Sequence, residues 1–190
     1  MMTKNTTWIL IPIMALLIQG CISYEGSKVY QGDFQSPYTN EDYPAGTVIN
    51  GYILPPEPNH TENDKTLLGI DVNHNGMRDD IERYIIIKES ENPHLPRTWT
   101  SVQLQDEKAA QYFWRTGDVK LRKKALECDY WVYYHSRPAD SNSLSNTGYS
   151  YLLFNTPIRS EVKYNNAMDP GVDANASSCD DNLTAFGELP

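Results

Sequence analysis

Very little in this sequence belongs to the kinds of residue pattern that carry covalent chemistry. There are three cysteines and four histidines among 190 residues. None of them falls in a C-x-x-C or H-E-x-x-H pattern, and G-x-S-x-G and the glycine-rich phosphate loops are missing as well. Those absences remove the motif-based routes to a thiol oxidoreductase, a zinc protease, a serine hydrolase or a nucleotide enzyme. No apolar run reaches the roughly 20 residues that a helix needs to cross a hydrocarbon core of about 30 Å. Basic side chains are in deficit, with 16 Lys and Arg against 25 Asp and Glu and a net charge of −9. Such a balance repels nucleic acid and anionic lipid alike, so no nucleic-acid partner is expected. There is no internal repeat.

What is present starts at the N-terminus. A polar stretch with one cation, Lys4, and no acid leads into the apolar run Trp8–Ile18, and Gln19-Gly20-Cys21 follows it. That is the layout of an export signal, with an apolar core too short to remain as a membrane span. Ile18 three places before Cys21 and Gly20 directly before it resemble the bacterial lipobox. The resemblance implies that residues 1–20 are a signal peptide cut before Cys21, and that Cys21 carries a diacylglycerol on its thiol and an acyl chain on its new amine. Several acyl chains at about 0.8 kcal/mol per buried methylene make such an anchor effectively permanent. Ile22, where an acid would imply retention in the inner membrane, implies the outer membrane. An ordinary secretory signal with an incidental cysteine is the alternative.

Without residues 1–20 the chain has 170 residues, one domain's worth, and its net charge becomes −10 because Lys4 leaves with the signal. Cys128 and Cys179 then remain besides Cys21. In an oxidising compartment their simplest state is a disulfide, the alternative being two buried thiols. Closing a loop of about fifty residues contributes roughly 4 kcal/mol in the chain-entropy account.

Residues 21–58 are rich in Tyr, Gly, Ser, Asn and Pro and show no 3.6-residue period. They read as the lipidated cysteine and an extended tether, with a short strand at 47–49 or 52–54. Residues 59–190 read as a small, mainly α-helical domain. Ile81, Tyr84, Ile85 and Lys88 set one largely apolar face on a helix from Asp79 to about Glu91, which Pro93 and Pro96 stop. A second helix starts near Thr100 or Ser101, turns Leu104, Ala109, Tyr112 and Phe113 inward, and ends at Gly117. A third is capped by Asp118, runs toward Ser136 and carries an inward stripe of Leu121, Ala125, Cys128, Val132 and His135. A fourth spans about 157–167 with Thr156 as cap and Pro157 in first position. The tail from Asp169 is turn-rich and needs Cys179 to hold it.

The chemistry is concentrated in Asp71-Val72-Asn73-His74-Asn75-Gly76-Met77-Arg78-Asp79-Asp80-Ile81-Glu82, which fits D-x-[DN]-x-[DN]-G-x5-E at every specified position. A loop tightening into a helix turns alternate residues toward one centre, and Ca²⁺ takes six to eight oxygens at about 2.3–2.6 Å. Asp71, Asn73 and Asn75 would supply side-chain oxygens and Met77 its carbonyl. Asp79 would act directly or through water, and Glu82 with both carboxylate oxygens. Gly76 permits the sharp turn. These twelve residues and the exiting helix resemble an EF-hand. Before the loop, Gly69 and Pro55, Pro56 and Pro58 leave room only for a short helix at about 62–68. Arg78 stands where paired EF-hands carry an aliphatic residue, and there is no sister loop, so the resemblance implies a lone, structural site with an affinity of about 10⁻⁴ to 10⁻³ M. A solvated Asn/Asp/Gly turn before a helix is the alternative. Pro55-Pro56-Glu57-Pro58, Thr66 to Asp71, Asn75 to Ile85 and Phe154-Asn155-Thr156 with Arg159 are also similar to a group of exported bacterial proteins of unassigned function, which implies a shared fold and loop and no activity.

Other constellations are weaker. His74 sits in the loop at a non-ligand position, and His135 reads as a packed or helix-capping residue. The aromatic run from Tyr130 to Tyr134, with Tyr149 and Tyr151, reads as core and rim or as a platform for a glycan or protein partner. Lys120, Arg122, Lys123 and Lys124 read as a solvated helix face. The functional reading is a lipid-anchored, calcium-binding envelope protein with a structural or interaction role. The alternative is a calcium-stabilised envelope hydrolase acting on peptide or glycan, which requires Glu127 or Asp129 to face Glu161 across a cleft.

Overall fold

The structure, a computed structural model, describes residues 35–91, 97–136, 152–165 and 173–179. Two short strands, β1 (Val48–Ile49) and β2 (Tyr52–Ile53), pair antiparallel with Ile49 opposite Tyr52. Asn50 and Gly51 between them have φ values of 50° and 87°, the left-handed pair that a two-residue hairpin demands. One helical turn, α1 (His60–Asn63), is capped by the Asn59 side chain. The longer helices are α2 (Asp79–Ser90), α3 (Arg97–Thr116), α4 (Lys120–Ser136) and α5 (Pro157–Asn165), and a 3-10 turn covers Ala176–Ser178. The domain is therefore mainly α-helical. Among the described residues no helix is long and apolar enough to cross a membrane. The signal segment and Cys21 lie outside the described residues.

Helix α2 is the centre of the fold, and its environment differs from the one-faced pattern expected of it. Every residue from Asp79 to Ile87 is buried. The face away from Ile81 and Ile85 can be buried because its charges are answered there. Arg83 Nε reaches the Glu57 carboxylate at 2.7 Å, and its other nitrogens donate to the carbonyls of Pro55 at 2.7 Å and Tyr43 at 2.9 Å. Tyr38 and Leu54 pack into the same core as Ile81, Ile85, Ile86 and Ile87. Residues 35–58 are thus a wall of the domain, which corrects the tether reading for that stretch. The domain starts well before residue 59. The wall lacks a helical period because it buries isolated side chains and lends its backbone carbonyls to Arg83.

Helices α3 and α4 form an antiparallel pair. Gly117, at φ 75°, turns the chain as expected, and the Asp118 side chain accepts from Lys120 N at 2.9 Å to begin α4. Helix α3 is already formed at Arg97, so Trp99, ahead of the expected start, joins a second core cluster with Val102, Cys128 and Val132. The inward stripe of α4 is narrower than expected. Ala125, Cys128 and Val132 are buried, whereas Leu121 is 46% exposed and His135 is also exposed. Cys128 and Cys179 are disulfide-bonded, and the tail is further pinned by Asn175 N to Glu127 O at 3.0 Å and Gln105 Nε2 to Ser178 O at 2.9 Å. Pro157 opens α5 under Thr156, whose hydroxyl accepts from Arg159 N at 3.4 Å.

Candidate metal centre

The approach to the loop is built by α1. Asn63, at the end of that turn, accepts from Ile70 N at 2.8 Å and donates to Asp80 at 2.9 Å. Gly69 has φ 58°, and a Cβ there would overlap Asn63 Oδ1 and lie 2.8 Å from Cγ and Cδ of Arg78. Only glycine fits so close an approach in that conformation. The helix expected at about 62–68 is accordingly the shorter, earlier α1, and the chain enters the loop from a tight bend.

From Asp71 the loop folds around its own polar side chains. Asp71 accepts from Asn75 N at 3.2 Å and Gly76 N at 2.9 Å, Asn73 from Asn75 N at 3.0 Å, and Asn75 from Met77 N at 2.9 Å. Asp79 closes the ring, its carboxylate accepting from Val72 N at 3.0 Å and its own N–H bonding Ile70 O at 2.9 Å. Asn73 Nδ2 donates to Glu82 at 3.0 Å. Gly76 has φ 92° and His74 φ 56°. His74 is exposed. The Met77 side chain is buried in the core, so it anchors the loop from below. The structure therefore brings Asp71, Asn73, Asn75, Asp79 and Glu82 around one short loop.

The electrostatics of that loop are unbalanced. Asp79 is 0% and Glu82 7% exposed. Burial pushes the Asp79 carboxyl up to about 6 despite the Val72 N–H, and the nearby charges of Glu82, Asp71 and Asp80 push the same way. Burial also raises Glu82, against the amide donors of Asn73 and Asn75. Asp79 Oδ1 is buried with no hydrogen-bond partner, and none of the three loop carboxylates takes part in a salt bridge among the described residues. Among the described residues no three His, Cys, Asp or Glu side chains are gathered closely enough to hold an ion by themselves. In this loop Asn73, Asn75 and the Met77 carbonyl would have to make up the remaining oxygens, and an orphaned buried carboxylate oxygen is what a cation would satisfy. The residues fit calcium.

Sequence reasoning missed Arg78. Its side chain is fully buried, bonds both oxygens of Asp80 at 2.8 and 2.7 Å, and donates to the carbonyls of Leu153 at 3.3 Å and Leu152 at 3.0 Å. Burial pulls the Asp80 carboxyl upward, but the Arg78 charge and hydrogen bonds, with Arg159, hold it below its ordinary range. Arg159 is buried too and ties α5 to α1 through Asp64 at 2.7 Å and the Thr66 carbonyl at 3.1 Å. The loop thus leads directly into a network that joins α1, α2 and residues 152–165. An arginine in the slot of an aliphatic residue was the signal.

The remaining candidates are dispersed. Trp131 is half-buried and stacked on His135 at 4.5 Å, Tyr133 meets Trp99 edge-on, and Tyr134 is 71% exposed. Tyr149 and Tyr151 lie outside the described residues. Lys120, Lys123 and Lys124 are exposed, as a solvated face would be, while Arg122 pairs with Asp106. Glu127 is held by Ser178 and Lys123. Burial and the neighbouring Asp106 push Asp129 up to about 6 against Arg122, and Glu161 is exposed. A carboxyl not singled out from sequence, Glu107, is 3% exposed and raised to about 8 by burial, so it keeps its proton at neutral pH. It shares one face of α3 with Trp99, Gln103 and Gln111, each of which also has a buried polar atom with no hydrogen-bond partner among the described residues. No family model, no curated protein and no solved structure matches this chain.

Proposed function

We propose that the loop Asp71–Glu82 binds one calcium ion, which fastens the N-terminal wall and α1 to α2, in an exported protein anchored through Cys21 to the outer membrane and serving a structural or interaction role in the cell envelope. The observation that carries the calcium reading is the buried Asp79 Oδ1, which has no hydrogen-bond partner among the described residues, near Asp71 and Glu82, whose carboxylates likewise form no salt bridge there. Asp71, Asn73, Asn75, Met77 through its carbonyl, Asp79 and Glu82 would hold the ion. The set is all oxygen, which suits a hard cation and disfavours zinc or copper. Bound calcium would supply charge balance and cross-linking, and no reaction step is assigned to it. The aromatic residues Trp131 and Tyr134 offer a surface for a protein or glycan partner. Membrane attachment rests on the lipobox at Cys21.

Thermal unfolding tests the site. With a dissociation constant of about 10⁻⁴ to 10⁻³ M, calcium at about 10 mM is in ten- to hundredfold excess, and an ion that binds only the folded state then adds about 1.4–2.7 kcal/mol, or roughly 3–10 °C for a domain of this size. Calcium at about 10 mM is expected to raise the midpoint by that amount over chelator, and Asp71→Ala and Glu82→Ala to abolish the difference. A midpoint indifferent to calcium would show the loop to be an ordinary Asn/Asp/Gly turn. Incorporation of labelled fatty acid is expected to vanish in Cys21→Ser, and its survival there would refute the anchor.

A further inference from the structure

We infer that Lys108 is a tethered competitor of the loop's cation, which lowers the affinity of the Asp71–Glu82 site for calcium. The inference rests on the calcium reading above. Lys108 stands on the exposed side of α3, and its stem crosses the loop at the sharp turn. A Cβ placed on Gly76 would lie 3.8 Å from Lys108 Cε, 4.0 Å from its Cγ and 3.6 Å from Arg115 Nη2. These are ordinary van der Waals distances, so both cationic side chains lie directly against the loop at its sharp turn. Among the described residues neither of them makes a salt bridge. Arg115 is partly occupied with the ring of Tyr112, 5.7 Å from its centroid. Gly76 in turn donates its N–H to the Asp71 carboxylate at 2.9 Å, so the Lys108 stem lies against a residue that itself holds a loop carboxylate.

Two consequences follow from placing one positive charge beside a site for a divalent cation. Without the ion, the ammonium partly neutralises the loop carboxylates and keeps the loop closed. With the ion, the ammonium repels it. Both effects favour the empty state, and for charges within a Debye length of each other in a water-screened setting they lower affinity by roughly three- to tenfold. The site would then fill where calcium is plentiful and stay empty at trace levels.

Calorimetric titration of the purified full-length protein in detergent with calcium chloride, at low and high ionic strength, tests this. Lys108→Gln is expected to tighten binding roughly three- to tenfold at low salt, with the gain shrinking as salt screens it. Lys108→Arg is expected to keep the wild-type constant, and Lys124→Gln, which removes the same charge from α4, to stay within about twofold of it. Unchanged or weaker binding in Lys108→Gln, or an equal gain in Lys124→Gln, would overturn the inference while leaving the calcium site intact. A wild-type protein that takes up no calcium would overturn the site itself and this inference with it.

Discussion

Arg78→Ala is expected to destabilise the domain by about 3–5 kcal/mol, enough to leave a protein of ordinary stability largely unfolded at 37 °C. The size follows from what remains behind. Asp80, at 0% exposure, would keep its charge with only the Asn63 amide, the Ile81 N–H and the more distant Arg159 to answer it. The carbonyls of Leu152 and Leu153 would each lose a donor. A buried pair broken on one side costs far more than the pair itself contributes, so the two causes can be separated. Arg78→Met with Asp80→Asn is expected to recover much of the loss relative to Arg78→Met alone, in urea unfolding of all three proteins. If the double variant is no better than the single one, the loss comes from packing volume and the charge account is wrong. By contrast Lys65→Ala, which breaks an exposed pair with Glu62, is expected to cost less than about 1 kcal/mol.

The second large effect belongs to the Cys128–Cys179 bond. Its partners are 51 residues apart, and a loop of that size predicts a loss of roughly 4 kcal/mol on reduction. Among the described residues the tail is also held by Asn175 to Glu127, Gln105 to Ser178 and Ser178 to Glu127. Oxidised wild type is expected to unfold well above reduced wild type, and Cys179→Ala to match the reduced protein with or without reductant. Coincident curves for oxidised and reduced wild type would show that the tail's hydrogen bonds alone suffice. The disulfide belongs to the cluster around Trp99 and Val132, while the Asp71–Glu82 loop rests through Met77 on the cluster around Ile81 and Ile85. The two effects should therefore add, and the calcium shift should persist in Cys179→Ala.

Where the fold was legible in the sequence, a local rule agreed with the tertiary result. Gly117 and Asp118 mark the turn between α3 and α4 because a left-handed stop and a side-chain cap act within a few residues. The same holds for Thr156-Pro157 at the start of α5. The bend from Asp71 to Gly76 could be read because side-chain bonds of Asp and Asn to nearby N–H groups and a left-handed glycine act within a few residues. Legibility failed where distant partners decide. Arg83 and Arg78 look like surface residues until Glu57, Asp80 and several backbone carbonyls are brought to them, so α2 reads as one-faced when it is enclosed. The wall at 35–58 has no period to detect, although Asn50-Gly51 was a hairpin signal that the irregular composition around it obscured. Glu107 looks like any acid on a helix, and only the packing on that face of α3 reveals that it is buried and neutral.

On the proposed reading, a calcium ion completes the carboxylates of Asp71, Asp79 and Glu82. Equilibrium dialysis of the full-length protein against radioactive calcium at millimolar concentration tests it most directly. The account predicts saturation at one ion per chain, with binding lost in Glu82→Gln and kept in Glu62→Gln. No bound calcium at millimolar free ion, or equal binding by Glu82→Gln and wild type, would contradict it.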